Sequence, residues 1–142
     1  MAYFFRADLS NFIDHEYPQV VKIRSAGELH RYYESNKETY QFNHGYYSES
    51  NMADFVFGDA GGFNDAFFKT RFLLFVILQE SSGSVRHRVE SAMPENGSLL
   101  VSIVRIAPEI GTCDIAQWHI ILDLDKSFVD MDVDVVIDTS SA

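Results

Sequence analysis

From Phe72 to Leu78 seven apolar residues follow one another without a break, bounded by Lys69-Thr70-Arg71 and by Gln79-Glu80-Ser81-Ser82-Gly83. A run this short predicts a strand buried on both faces rather than a core helix. Downstream the pattern changes to strict alternation. Between Val85 and Ala92, Val85, His87 and Val89 alternate with Arg86, Arg88 and Glu90. Met93-Pro94-Glu95-Asn96-Gly97 then supplies turn chemistry, and Leu99 to Ile106 is the returning strand. Pro108 and Gly111 mark a loop. Gln117 to Leu124 places Trp118, Ile120, Leu122 and Leu124 on one face with His119 opposite. A last strand is predicted over Phe128 to Ile137, where Val129, Met131, Val133, Val135 and Ile137 alternate with Asp130, Asp132 and Asp134. Together these segments predict a β-meander over residues 63–138.

The first half carries a different period. Val20, Val21 and Ile23 follow Pro18 and predict a short strand within Tyr17 to Arg24. Ser25-Ala26-Gly27-Glu28 matches a capping box, in which Ser25 accepts from the Glu28 amide and Glu28 reaches back to the Ser25 amide. A helix should start there and end near Asn36, with Ala26, Leu29, Tyr32 and Tyr33 on its apolar face. Residues 38–62 read as a long irregular loop holding one short strand at Phe55-Val56-Phe57, and Asn64 as the cap of a helical turn through Lys69. The aromatic residues Tyr40, Phe42, Tyr46, Tyr47, Phe55 and Phe57 either cover one end of the sheet or form a partner-facing patch. The expected fold is α+β, mainly β: one domain over residues 1–142, with a strand–helix part at 1–37. Its sheet is predominantly antiparallel, with Phe72 to Leu78 near the centre and one amphipathic helix packed on a face.

Composition narrows the function more than the fold. The 142 residues are 46% hydrophobic and 14% aromatic, which excludes wholesale disorder, and carry a net charge of −10, which disfavours nucleic acid as a partner. No apolar run approaches the length that spans a bilayer, so membrane insertion is not expected. The single cysteine, Cys113, forms no internal disulfide, and Met1 to Ser10 lacks the pattern of a signal peptide. As written, the chain reads as cytoplasmic, an extracellular or surface-attached parent remaining open if a leader has been removed.

Few residues suggest chemistry. Asp123, Asp125, Asp130, Asp132, Asp134 and Asp138 crowd the C-terminal part. An EF-hand loop beginning at Asp130 fails, because Val135 stands where the turn needs Gly and Ser141 where bidentate Glu belongs. On a strand, alternate side chains stand about 6.5–7 Å apart, too far to share one ion, so the expected role is a solvated edge. A cysteine or metal-dependent enzyme around Cys113, His87 and His119 is the alternative to a binding module. Asp114 beside Cys113 works against a thiolate, and the histidines read as structural imidazoles. Gly58-Asp59-Ala60-Gly61-Gly62 lacks the spacing and the lysine of a phosphate loop. No metal site and no cofactor are expected.

Several segments between Phe63 and Asp125 together resemble the protease-complex-stabilising C-terminal domain family of bacterial proteins. They are Asn64-Asp65-Ala66-Phe67-Phe68-Lys69, the strand Leu73 to Leu78, Ser82-Gly83-Ser84, the hairpin around Asn96-Gly97, Pro108-Glu109 and Trp118-His119-Ile120. The family's Gly-Gly-Tyr loop after the first long strand is replaced here by Ser82-Gly83-Ser84-Val85. The resemblance implies a small β-rich module, an accessory subunit that supports a surface protease without catalytic residues of its own, often behind a secretion or lipoprotein signal. The expectation is a non-catalytic module that binds a protein partner through the loops Gln79 to Ser84 and Ala107 to Asp114. Ser82, Gly83, Ser84, Glu109, Gly111 and Thr112 are its candidate contact residues.

Overall fold

The computed structural model describes residues 2–8, 16–40, 42, 52–112 and 115–142. In chain order the regular elements are β1 (Ala2–Asp8), β2 (Gln19–Ile23), α1 (Ala26–Asn36), β3 (Arg71–Glu80), β4 (Arg86–Glu95), β5 (Ser98–Ile106), β6 (Ala116–Asp125) and β7 (Asp134–Ser141). A π-helical turn, Ala53–Phe57, and a 3-10 turn, Phe67–Lys69, lie between α1 and β3. The protein is mainly β with antiparallel pairing dominant and one α-helix among the described residues, as the patterning predicts.

The strands divide between two sheets. The first has the order β1-β6-β3-β2 and is antiparallel throughout; the second has the order β4-β5-β7, with β4 antiparallel and β7 parallel to β5. This corrects the expected single meander. After β3 the chain leaves its sheet, builds the β4–β5 hairpin on the second sheet, and returns as β6 to pair along the whole length of β3, with Phe75 opposite Ile121. Alternation identifies which face of a strand is buried but not which strand lies beside it, and here a sequential hairpin pairing lost to a long-range one.

The period of two then explains the core. On β3 and β6, Phe72, Leu74, Val76, Leu78, Ile120, Leu122 and Leu124 meet Leu99, Val101 and Ile103 of β5 between the two sheets. The intervening residues Leu73, Phe75 and Ile121 face the other way, toward Leu29 of α1 and the buried Tyr40, Phe42, Met52, Val56, Phe63 and Phe68. Three layers result, with the four-stranded sheet in the middle. The unbroken apolar run is therefore a central strand covered by a second sheet on one face and by helix and aromatic residues on the other.

Local chemistry sets the boundaries. Ser25 accepts a hydrogen bond from the Glu28 amide at 3.1 Å, as expected of an N-cap, but Glu28 takes the Arg24 amide at 2.9 Å instead of that of Ser25. Asn64 caps the 3-10 turn through the Phe67 amide at 3.1 Å. The β4–β5 hairpin turns at Asn96-Gly97, whose φ values of 52° and 81° are those of a tight two-residue turn. An irregularity between Val89 and Ser91 shifts the register, so that Ala92 joins the core.

Four expectations fail locally. Ala2–Asp8 forms an edge strand on β6 that the mixed N-terminal pattern did not reveal. Phe55-Val56-Phe57 belongs to the π-helical turn, not a strand. The last strand begins at Asp134 rather than Phe128, because Asp130 accepts the Asp132 amide at 2.9 Å and the Asp125 side chain takes the Ser127 amide at 2.8 Å, two side-chain-closed turns. Val129, Met131 and Val133 still reach the inter-sheet core from those turns. Tyr40 and Phe42 are buried on a face of the central sheet, not its end; Tyr46 and Tyr47 lie outside the described residues.

Phe75 stands at the centre of the helix-side layer, fully buried, with its ring 5.1 Å from Tyr32 and 6.1 Å from His119. Phe75→Ala is expected to lower stability by about 3–5 kcal/mol in urea or thermal unfolding, the cost of an aromatic-sized cavity that the flanking strands cannot close.

Candidate functional site

The loops 81–85 and 107–112 meet at one end of the sandwich, where β3 and β5 finish and β4 and β6 begin. Their contact is made by hydroxyls. Ser82 Oγ lies 2.7 Å from Ser84 Oγ and 3.3 Å from Thr112 Oγ1, and the Thr112 amide donates to Ser84 Oγ at 3.2 Å. A Cβ on Gly111 would stand 3.0 Å from Ser82 Oγ and 3.2 Å from Ser84 Oγ, so a side chain there would press the two loops apart. Gly83 is buried, and its carbonyl accepts from the guanidinium groups of Arg6 at 3.1 Å and Arg86 at 2.8 Å. Of the predicted contact residues, Ser82, Gly83, Ser84, Gly111 and Thr112 are thus drawn together, while Glu109 stands exposed beside Ile110, which is 90% exposed. Cys113 and Asp114 lie outside the described residues.

Beneath the loops the inter-sheet core changes from apolar to ionic. Strand parity carries Glu80 inward two residues after Leu78, and Arg105 inward two residues after Ile103. Glu80 is 5% exposed and is held from two strands of the second sheet. Arg105 donates to it through Nε at 2.9 and 3.0 Å and through Nη2 at 2.8 Å, and His87 Nε2 lies 3.3 Å away. Burial pushes the Glu80 carboxyl up, but the hydrogen bonds from His87 and Arg105 outweigh it and hold it below the usual carboxylate range. Trp118 packs its ring 5.4 Å from His87, and the Arg86 guanidinium lies 5.5 Å from the Trp118 ring. Among the described residues His87 Nδ1 and Trp118 Nε1 are buried without hydrogen-bond partners. The sequence reading missed Glu80 and Arg105. A charged residue at an inward position at the end of each strand was the available signal, but their pairing spans two sheets.

His119 is on the other face of β6, since its neighbour Trp118 packs against His87 of the second sheet. It is 1% exposed within the rings of Tyr40 at 4.7 Å, Phe42 at 5.5 Å, Tyr32 at 5.9 Å and Phe75 at 6.1 Å. Desolvation lowers its pKa to about 3 and raises that of the Tyr32 phenol, so both groups stay neutral and share a hydrogen bond of 2.6 Å between the Tyr32 hydroxyl and His119 Nε2. The imidazole thereby ties α1 to the central sheet. His87 and His119, grouped by the sequence as parts of one reactive centre, are separated by the sheet itself.

The aspartates are dispersed as well. Arg71 pairs with Asp123 and, at 3.6 Å, with Asp125; Asp132 lies 3.7 Å from Arg24; Asp134 and Asp138 are exposed on β7. Among the described residues no group of three or more His, Cys, Asp or Glu side chains converges as a metal site. None of the helices described there is long and apolar enough to cross a membrane. No family model, curated protein or solved structure matches this chain.

Two measurements probe these buried groups. Glu80→Gln leaves Arg105 facing a neutral amide. It should cost about 2–3 kcal/mol in chemical unfolding, below the 3–5 of a fully enclosed pair because the Arg105 side chain is 38% exposed. For His119 the folded pKa lies below the unfolded value near 6.5, so the unfolded chain binds the extra proton. Its contribution to stability is complete above pH 6.5 and is lost toward pH 3, at up to roughly 1.4 kcal/mol per pH unit. His119→Gln, whose amide oxygen can accept from Tyr32, should flatten that slope in unfolding curves taken between pH 6.5 and 4.5.

Proposed function

We propose that this protein is a non-catalytic, protein-binding accessory module whose contact surface is the loop pair 81–84 and 107–112. The observation that carries the reading is the hydroxyl clasp between Ser82, Ser84 and Thr112, set on the ion pair of buried Glu80 with Arg105 and leaving Ile110 at 90% exposure. Loops held in one conformation bind without first losing conformational freedom, and an isolated branched apolar side chain above a polar rim suits a pocket on a partner. Ser82, Ser84, Gly111 and Thr112 maintain the shape, Gly83 is the buried hinge point between them, and Glu109 and Ile110 make the contact.

A protease is the partner class suggested by the resemblance of residues 63–125 to protease-complex-stabilising domains. The module's part is then to stabilise or modulate that partner, with no bond-making group of its own. The separation of His87 from His119 supports this over a cysteine- or histidine-dependent enzyme. A single cysteine fits action in the cytoplasm, and the family resemblance fits action at the surface.

The test is affinity capture with three forms of the chain: wild type, Ile110→Asp, and a variant with Ser82 to Ser84 and Glu109 to Thr112 replaced by neutral linkers. One protein retained by the wild type, at least tenfold reduced with Ile110→Asp and lost with the linker variant is the expected result. Equal retention by all three forms would overturn the loop assignment.

A further inference from the structure

Away from the loop end, a groove of about 660 Å³ opens between α1 and the π-helical turn. Leu29, Tyr33, Phe57 and Phe63 supply its apolar walls, and Asp59 and His30 its ionisable groups. The walls come from separate elements. Tyr33 projects from α1, Phe57 ends the π-helical turn, and Phe63 follows the glycine-rich turn that carries Asp59.

That turn is tightly built. The Ala60 amide donates to Asp54 at 3.4 Å, the Gly61 amide to Phe55 at 2.9 Å, and the Gly62 amide to Asp59 at 3.2 Å. A Cβ on Gly61 would come within 2.3 Å of the Phe55 carbonyl oxygen, so this turn admits only glycine at that position. Asp59 is held at the rim. Exposed there, its carboxylate makes no ion pair and no side-chain hydrogen bond among the described residues, and it shares the groove lining with the rings of Tyr33, Phe57 and Phe63.

These features select a ligand class. An anion would meet the Asp59 charge within a chain of net charge −10. A purely apolar ligand would strip water from the carboxylate and return nothing. An organic cation satisfies both halves of the lining: the rings receive its alkyl groups and its positive charge together, and the carboxylate pairs with that charge. One of these rings already takes an ammonium, since Lys37 Nζ lies 5.5 Å from the Tyr33 centroid, although Lys37 does not line the groove.

We propose that the groove formed by Tyr33, Phe57, Phe63 and Asp59 is a binding site for alkylated ammonium groups, either a free quaternary amine or a methylated lysine side chain. The site is independent of the loop pair and does not require the accessory role.

The test is a calorimetric or NMR titration of the intact chain with choline, with its uncharged isostere 3,3-dimethylbutan-1-ol, and with a trimethyl-lysine peptide. Saturable binding of choline is expected, with the isostere at least tenfold weaker. Asp59→Asn should weaken choline at least tenfold while Asp59→Glu stays within a few-fold. Because the Asp59 side chain makes no ion pair or hydrogen bond among the described residues, an unchanged thermal melt will confirm that each variant is folded. Tighter binding of the peptide than of choline would assign the site to a protein-borne ligand, and the reverse to a free amine. Absence of saturation with both cations, equal binding of the isostere, or an unaffected Asp59→Asn variant would overturn the proposal.

Discussion

Burial of β3 and β6 on both faces is the constraint from which the architecture follows. Two adjacent strands each carrying seven consecutive buried residues cannot sit at the surface of a two-layer protein. They require a cover on each side. The second sheet supplies one and α1 with the aromatic segments supplies the other, while β1 and β2 close the edges of the central sheet. Even the parallel β7 serves this requirement, because Val135 and Ile137 extend the lid over the inter-sheet core.

A core of this depth admits polar groups only where their partners come with them. On the helix side His119 is kept neutral by burial and satisfied by the Tyr32 hydroxyl. Between the sheets Glu80 is ionised and is met by Arg105 from the opposite sheet. The first arrangement fixes the helix on the sheet; the second fixes one sheet on the other at the end where the loops emerge. The proposed contact surface therefore stands on the part of the sandwich where the relative position of the sheets is most specified. Loop hydroxyls that hydrogen-bond each other complete that rigidity.

The candidate site was legible in outline. Ser82-Gly83-Ser84 and Gly111-Thr112 are recognisable as loop chemistry, and their placement at one end follows from strands of similar length. The electrostatic support was not legible, since Glu80 and Arg105 are 25 residues apart and nothing local marks them as partners. Conversely, Cys113, His87 and His119 look like a set only in a one-dimensional reading, because adjacent residues on a strand point to opposite faces. The Asp59 groove was invisible for a related reason: the sequence registers a failed phosphate loop, while the aromatic walls around it come from three elements.

By itself, the sequence determined everything that depends on nearest neighbours along the chain. The period of two in β5 and β6, the Ser25 cap and the Asn96-Gly97 turn follow from local sterics and hydrogen bonding that hold wherever the segment is placed. The tertiary structure alone decided which strands pair, that there are two sheets rather than one, and that residues 128–133 turn while their apolar positions still reach the core. Alternation specifies a buried face but is indifferent to what buries it. The pairing of β3 with β6, and of Glu80 with Arg105, was selected by the summed burial of surfaces far apart in the chain, a quantity that no single segment contains.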